Sequence, residues 1–276
     1  LNFEKKRYKI ITLENSFHGR TITTVKATGQ SSFHQSKFAP YPDGFSFNVI
    51  DDVYNAIDDE TVAVMIELVQ GEGGVFPFDK EKIKELAKFL KENDILLIID
   101  EVQTGVFRTG EFLASNLYDI EPDIITLAKG IGGGVPMGAV ITKHKDIWTA
   151  GDHGSTFGGN YLVTAAALEV LDILENLKDS GTLDETIIYF TKKLNDIFEA
   201  NRDIFITHVG LGLMRGLRVK DADTLASLIK TAFECGVMVL KSGNNTLRFL
   251  PALTISKSEI DEGFIRLQKA ITKIKS

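Results

Sequence analysis

Cysteine is nearly absent: Cys235 is the only one in 276 residues. One thiol cannot close an internal disulfide, so a stapled secreted scaffold is excluded. With no histidine near it in sequence, Cys235 reads as a small, partly buried hydrophobe rather than a nucleophile. Proline is sparse as well, with six, and no Pro-rich linker, internal repeat or low-complexity stretch divides the chain. No apolar run approaches the roughly 20 residues that span a bilayer, so no membrane partner is expected. Positive charge is in deficit. Lys and Arg number 31 against 38 Asp and Glu, and the net charge of −7 argues against a nucleic-acid binder, which needs a basic face. No signal-peptide pattern is present, and a cytoplasmic location is expected.

Other absences narrow the chemistry. The five histidines, His18, His34, His144, His153 and His208, show no i, i+4 pairing and have no cysteine cluster beside them, so no metal site is expected. Gly130 to Gly134 does not keep dinucleotide spacing. Gly210-Leu211-Gly212-Leu213-Met214-Arg215-Gly216 is one residue too long for it and lies between two strand-like runs. No Walker spacing ends in Gly-Lys-Ser/Thr. These glycines read as turns.

What is present is an alternation of buried strands and amphipathic helices. Tyr8–Leu13, Thr61–Ile66, Ile95–Ile99, Ile124–Ala128 and Ala139–Thr142 are short, bounded, β-branched runs, as strands buried on both faces should be. Ser16 is a suitable N-cap, with a short helix over Thr21–Lys26. Asp79 caps a helix whose Ile83, Leu86, Ala87 and Leu90 share a face. Residues 30 to 44, with Pro40, Pro42 and Gly44, read as loop. The fold class expected is α/β: a large domain with a mostly parallel sheet flanked by helices. From about residue 178 the texture changes to a small α+β domain. Its expected elements are a helix over Leu183–Asn201, strands Ile204–Val209, Leu213–Val219, Val237–Leu240 and Thr246–Leu250, and a last helix opened by a Ser256/Glu259 capping box.

Two strands stand out by how they end. Ile95–Ile99 stops at Asp100-Glu101-Val102-Gln103, and Ile124–Ala128 stops at Lys129 and a run of glycines. Each delivers a charged group to a strand's carboxyl end, where open α/β sheets build their sites. A lysine in such a place can lose its proton and attack a carbonyl, as with pyridoxal phosphate. That cofactor also needs a carboxylate on its pyridine nitrogen, an aromatic face, phosphate donors and a group on its phenolic oxygen. Asp100, Phe17, the Ser155-Thr156 loop and Gln103 are chemically suited to those needs. A generic α/β enzyme remains the alternative on these residues alone.

With these residues assembled, the chain resembles the class III pyridoxal-phosphate aminotransferases of fold type I. The motifs that carry the resemblance are Phe17-His18-Gly19-Arg20, Glu67 with Gln70-Gly71-Glu72-Gly73-Gly74, and Asp100-Glu101-Val102-Gln103-Thr104-Gly105. They continue through Ala128-Lys129-Gly130, Gly154-Ser155-Thr156-Phe157-Gly158-Gly159-Asn160 and Leu247-Arg248-Phe249. They keep the family's order from residue 17 to 249. Any one is weak, but six in register are specific.

The resemblance implies a pyridoxal 5'-phosphate-binding large domain over residues 1–177, long connecting helix included, and a small domain over 178–276. It implies that Lys129 joins the cofactor covalently and shuttles protons, that Asp100 holds the ring nitrogen, and that Gln103 bonds the phenolic oxygen. Phe17 would stack on the ring and Val102 pack beneath it. Thr156 would reach the phosphate of a neighbouring subunit's cofactor, making the active unit a homodimer. Ser155, Arg20, Arg248 and Glu72 would contact substrate, with Glu72 releasing Arg248 when glutamate arrives. Within the family the likeness is greatest to members that move the δ-amino group of N-acetylornithine to 2-oxoglutarate in arginine biosynthesis. The alternatives are a sibling acting on ornithine, succinylornithine, succinyldiaminopimelate or 4-aminobutyrate, or a non-catalytic homologue. Against the last stand Lys129, Asp100 and Gln103, a trio that a scaffold does not need. Two departures from the family pattern are visible. Leu68 stands where proline is usual, and the chain opens on Leu1, as a piece of a longer protein would. The N-terminal arm and the upstream Ser-Gly-Ala-type phosphate loop of the family are expected to lie outside these residues.

Overall fold

A computed structural model describes residues 6–145 and 148–275. The chain forms two compact units. The first takes residues up to Gln70, then Phe78–Val106 and Leu113–Leu171. The second takes Gly71–Pro77, Phe107–Phe112 and the chain from Asp172 onward.

In the first unit β1 (Lys9–Leu13), β2 (Phe45–Asn48), β3 (Thr61–Ile66), β6 (Leu96–Asp100), β7 (Ile124–Leu127) and β8 (Ala139–Thr142) build one sheet in the order β2-β1-β3-β6-β7-β8. All neighbours are parallel except β7 and β8, which run antiparallel. The mostly parallel sheet expected from the buried runs is therefore present. Its core is the β-branched and leucine content of those runs: Ile11, Leu13, Val64, Ile66, Leu97 and Ile99 are all buried. The short β4 (Val69–Gln70) follows β3. The edge strand β2, Phe-Ser-Phe-Asn, has no β-branched run to announce it.

The helices of this unit are α1 (Ile22–Ala27), α2 (Val53–Ala56), α3 (Lys80–Glu92), α4 (Ala114–Tyr118) and the start of α5 (Tyr161–Asp179). Asp79 caps α3 as expected, its carboxylate accepting from Lys82 N at 3.0 Å, and Ile83, Leu86 and Leu90 are buried. Asn160 opens α5 by accepting from the amides of Leu162 and Val163 at 3.0 and 3.2 Å. Ser16 does not cap α1. The cap is Thr21, whose amide donates to Thr24 Oγ1 at 3.0 Å, while Ser16 Oγ accepts from Gly29 N at 3.0 Å. A threonine directly before the helix satisfies its first donors better than a serine five residues upstream.

The second unit holds β5 (Phe76–Pro77), the antiparallel sheet β11-β12-β10-β9, and α6 (Thr182–Ala200), α7 (Ala222–Glu234) and α8 (Lys257–Lys275). The strands are β9 (Phe205–Leu211), β10 (Met214–Val219), β11 (Leu240–Ser242) and β12 (Thr246–Phe249). Gly212, at φ +54, turns the β9–β10 hairpin, and a Cβ there would lie 2.4 Å from the Thr109 backbone. That glycine run serves a turn and not a nucleotide. The strand expected at Val237–Leu240 starts only at Leu240, because Val237 N is spent on Ala232 O at the end of α7.

Candidate active site

Asp100 is the last residue of β6 and pairs in register with Thr126 of the parallel neighbour β7. Its carboxylate is buried, and both oxygens are occupied. Oδ1 accepts from Val102 N at 3.1 Å and Thr126 Oγ1 at 3.2 Å, while Oδ2 lies 2.8 Å from His18 Nδ1. Among the described residues no lysine or arginine pairs with it. A carboxylate buried without a cation is costly unless a positive partner completes the set, and a protonated ring nitrogen is such a partner.

Lys129 follows β7 by two residues and opens a short 3₁₀ turn, Lys129–Gly132. Its backbone sits in the left-handed region at φ +48, which a non-glycine residue adopts only where its surroundings hold it, commonly at functional positions. The residue is exposed. Val102 and Gln103, in the turn after Asp100, are both half-buried.

Phe17 and His18 come from the segment after β1. Phe17 N donates to Glu67 Oε2 at 2.9 Å, and His18 N to Thr28 Oγ1 at 3.0 Å, so this segment is tied down at two successive amides. Arg20 stacks against aromatic faces. Its guanidinium carbon lies 5.7 Å from the ring centre of Phe17 and 5.2 Å from that of Phe33. Ser155 and Thr156 lie in an exposed loop, where Ser155 Oγ accepts from Gly158 N at 2.9 Å. Leu68, standing where the family has proline, is fully buried, and its carbonyl accepts from Tyr118 Oη at 3.1 Å.

The second unit carries a cluster of its own. Arg248, in β12 opposite Gly216 of β10, is buried and donates to Glu72 Oε1 at 2.7 Å and Gly71 O at 3.0 Å. Its Nε is buried with no hydrogen-bond partner among the described residues, leaving donor capacity for a carboxylate. The Gly71–Gly74 loop that presents Glu72 is held by Ser242, which donates to Gly71 O at 2.7 Å and accepts from Gly74 N at 3.0 Å. Asn244 adds a bond to Gly73 O at 2.9 Å.

The first unit thus brings Asp100, Gln103, Val102 and Lys129 to the ends of adjacent strands, with Phe17 one residue from the imidazole on Asp100. The second brings Glu72 onto Arg248. The sequence reading missed His18, taken as a solvated or locally bonded histidine, along with Thr126, Ser242 and Asn244. Only His18 had a signal, its place directly after Phe17.

A clamped, buried acid beside a strained lysine at the carboxyl ends of a parallel sheet fits pyridoxal phosphate. On this fold it defines a pyridoxal-phosphate-dependent enzyme. Residues 2–271 match the family described as class-III aminotransferase, and the chain belongs to that family, whose cofactor is pyridoxal 5'-phosphate. An acetylornithine aminotransferase from Wolinella succinogenes is 56% identical over 272 residues, covering 98% of this chain and 69% of that protein. A succinylornithine transaminase from Salmonella enteritidis is 41% identical over 274 residues, covering 97% of this chain and 67% of that protein. The solved ornithine aminotransferase from Toxoplasma gondii superposes with a TM-score of 0.89 at 28% identity, covering 97% of this chain and 65% of that one. The chain spans about two thirds of the length of these relatives.

Proposed function

We propose that the protein is an aminotransferase that moves the δ-amino group of N-acetylornithine to 2-oxoglutarate, a step of arginine biosynthesis, as a cytoplasmic homodimer. The observation that carries this reading is Asp100, buried and bonded by His18, Thr126 and Val102, on the strand next to the one that ends at Lys129. Bound pyridoxal phosphate supplies an electron sink for the carbon that carries the amine.

The side chains do the rest. Asp100 keeps the ring nitrogen protonated, and His18 holds that carboxylate in place. Lys129 anchors the cofactor, then takes the proton from the amine-bearing carbon and returns it one atom away. Gln103 donates to the phenolic oxygen, Phe17 covers one face of the ring and Val102 the other. Arg20 and Arg248 bind substrate carboxylates, with Ser155 beside them. Glu72 occupies Arg248 while the monocarboxylate amino donor is bound and yields it to the second carboxylate of 2-oxoglutarate. Thr156 bonds the cofactor phosphate in the partner of the homodimer. Phe157, Tyr161, Leu162 and Leu168 support that partner, since all four apolar side chains around this loop and along α5 are well exposed.

A second reading has a specific support, the 41% identity to a succinylornithine transaminase. Turnover of N-acetylornithine, N-succinylornithine, ornithine and 4-aminobutyrate, each with 2-oxoglutarate, tests both. The proposal requires the highest kcat/KM on N-acetylornithine. A preference for 4-aminobutyrate sinks it.

A further inference from the structure

Arg20 opens onto a cavity of about 400 Å³ that the roles above leave unused. Its walls include Ile22, Phe33, Gln35, Phe38 and Tyr41. The frame is built from backbone-bonded turns. Two 3₁₀ turns, Ser31–Phe33 and Ser36–Phe38, are braced by Tyr41 Oη donating to Gln35 O at 2.9 Å and by His34 Nε2 lying 3.0 Å from Val25 O of α1. The side chains of Gln35 and Phe38 are therefore left to line the space. Phe38 is 56% exposed and Ile22 46%, a cost that a ligand on the apolar wall offsets. Among the described residues Arg20 has no acidic partner and the Gln35 amide no hydrogen bond.

A cationic fork held between aromatic rings, an uncommitted amide and an apolar wall together match one chemical class, an N-acylated amino acid. We propose that this cavity is the acyl subsite of the amino donor. The donor's carboxylate sits on Arg20, its acyl amide bonds Gln35, and the acyl carbon chain packs on Phe33, Phe38 and Ile22. The proposal rests on the aminotransferase reading and deepens it by assigning the acyl selectivity to particular residues. The volume lies within the roughly 300–1,000 Å³ usual for small-molecule sites and exceeds what a bare carboxylate needs. Glutamate and free ornithine carry nothing that would fill it.

That asymmetry provides the test. Full-length protein loaded with pyridoxal phosphate is assayed on N-acetylornithine, ornithine and glutamate, as wild type and as Phe38→Ala and Gln35→Ala. Both residues are exposed, and thermal melting checks that folding is unchanged. Each variant should lower kcat/KM for N-acetylornithine about tenfold, the scale of one apolar or hydrogen-bonding contact. Values for ornithine and glutamate should stay within about twofold. Equal losses on all three substrates, or no loss on N-acetylornithine, overturn the subsite while leaving the aminotransferase reading intact. A wild-type enzyme inactive on all three overturns that reading and the subsite with it.

Discussion

His18 Nδ1 and Asp100 Oδ2 lie 2.8 Å apart, both side chains buried, across 82 residues of sequence. With Nδ1 as the donor, the imidazole is neutral and its Nε2 has no partner among the described residues. The ring therefore acts on the carboxylate alone. It fixes the orientation of Asp100 and stabilises its charge without neutralising it.

His18→Ala removes that donor. A hydrogen bond to a charged group contributes roughly 1.5–3 kcal/mol, so affinity for pyridoxal phosphate should fall about tenfold or more. Titration of the cofactor's visible absorbance measures it. Unchanged affinity with an unchanged melting temperature would show that the imidazole does not support the acid's role.

The pairing of Glu72 with Arg248 makes a different claim, about which substrate is admitted. Glu72→Gln leaves Arg248 open at all times. Rapid-mixing measurement of the two half-reactions should show the glutamate half-reaction favoured by about tenfold relative to the acetylornithine half-reaction. An unchanged ratio would reduce the pair to a structural contact.

Glu101 concerns stability. Its carboxylate is buried and accepts from Thr104 Oγ1, from Ala114 N at 3.0 Å, and from Ser115 N and Oγ at 2.8 and 2.7 Å. Glu101→Ala strands two buried amides at the start of α4. The expected cost is about 3 kcal/mol, read from the midpoint of urea unfolding. A change under about 0.5 kcal/mol would contradict it.

Asp123 sets an acid limit on the first unit. Burial pushes its carboxyl up, but Lys143 at 2.8 Å and Leu97 N at 2.8 Å outweigh it and hold it below the ordinary value near 3.9. The unfolded chain thus takes up the proton at higher pH than the folded one. Stability from this group is full above about pH 4 and is lost as pH falls through the folded value. Asp123→Asn should flatten the acid limb of a stability–pH profile between about pH 4 and 2. An unchanged limb would assign acid sensitivity elsewhere.

The central sheet and both strand-end charges were legible because each rests on local pattern. A buried β-branched run that stops at Asp100 or Lys129 declares both the strand and its functional end. Caps were legible for the same reason. Ser256 Oγ accepts from Glu259 N at 3.2 Å, and Glu259 accepts from Ser256 N at 2.8 Å, as the spacing of the pair predicts. What sequence did not show are partners brought together by topology. His18 meets Asp100 across 82 residues, and Ser242 meets Gly71 across 171. Nothing local marks Gly71–Pro77 and Phe107–Phe112 as members of the second unit either. Their anchors are long-range bonds, such as that from Arg108 to Pro251 O at 2.6 Å.

The claim on which the rest depends is that Lys129 carries the cofactor. Borohydride treatment of the protein loaded with pyridoxal phosphate fixes the cofactor to its lysine, and peptide mass mapping then locates it. The account predicts the label on Lys129, and in Lys129→Ala neither label nor turnover. A label on another lysine, or turnover that survives Lys129→Ala, would contradict it.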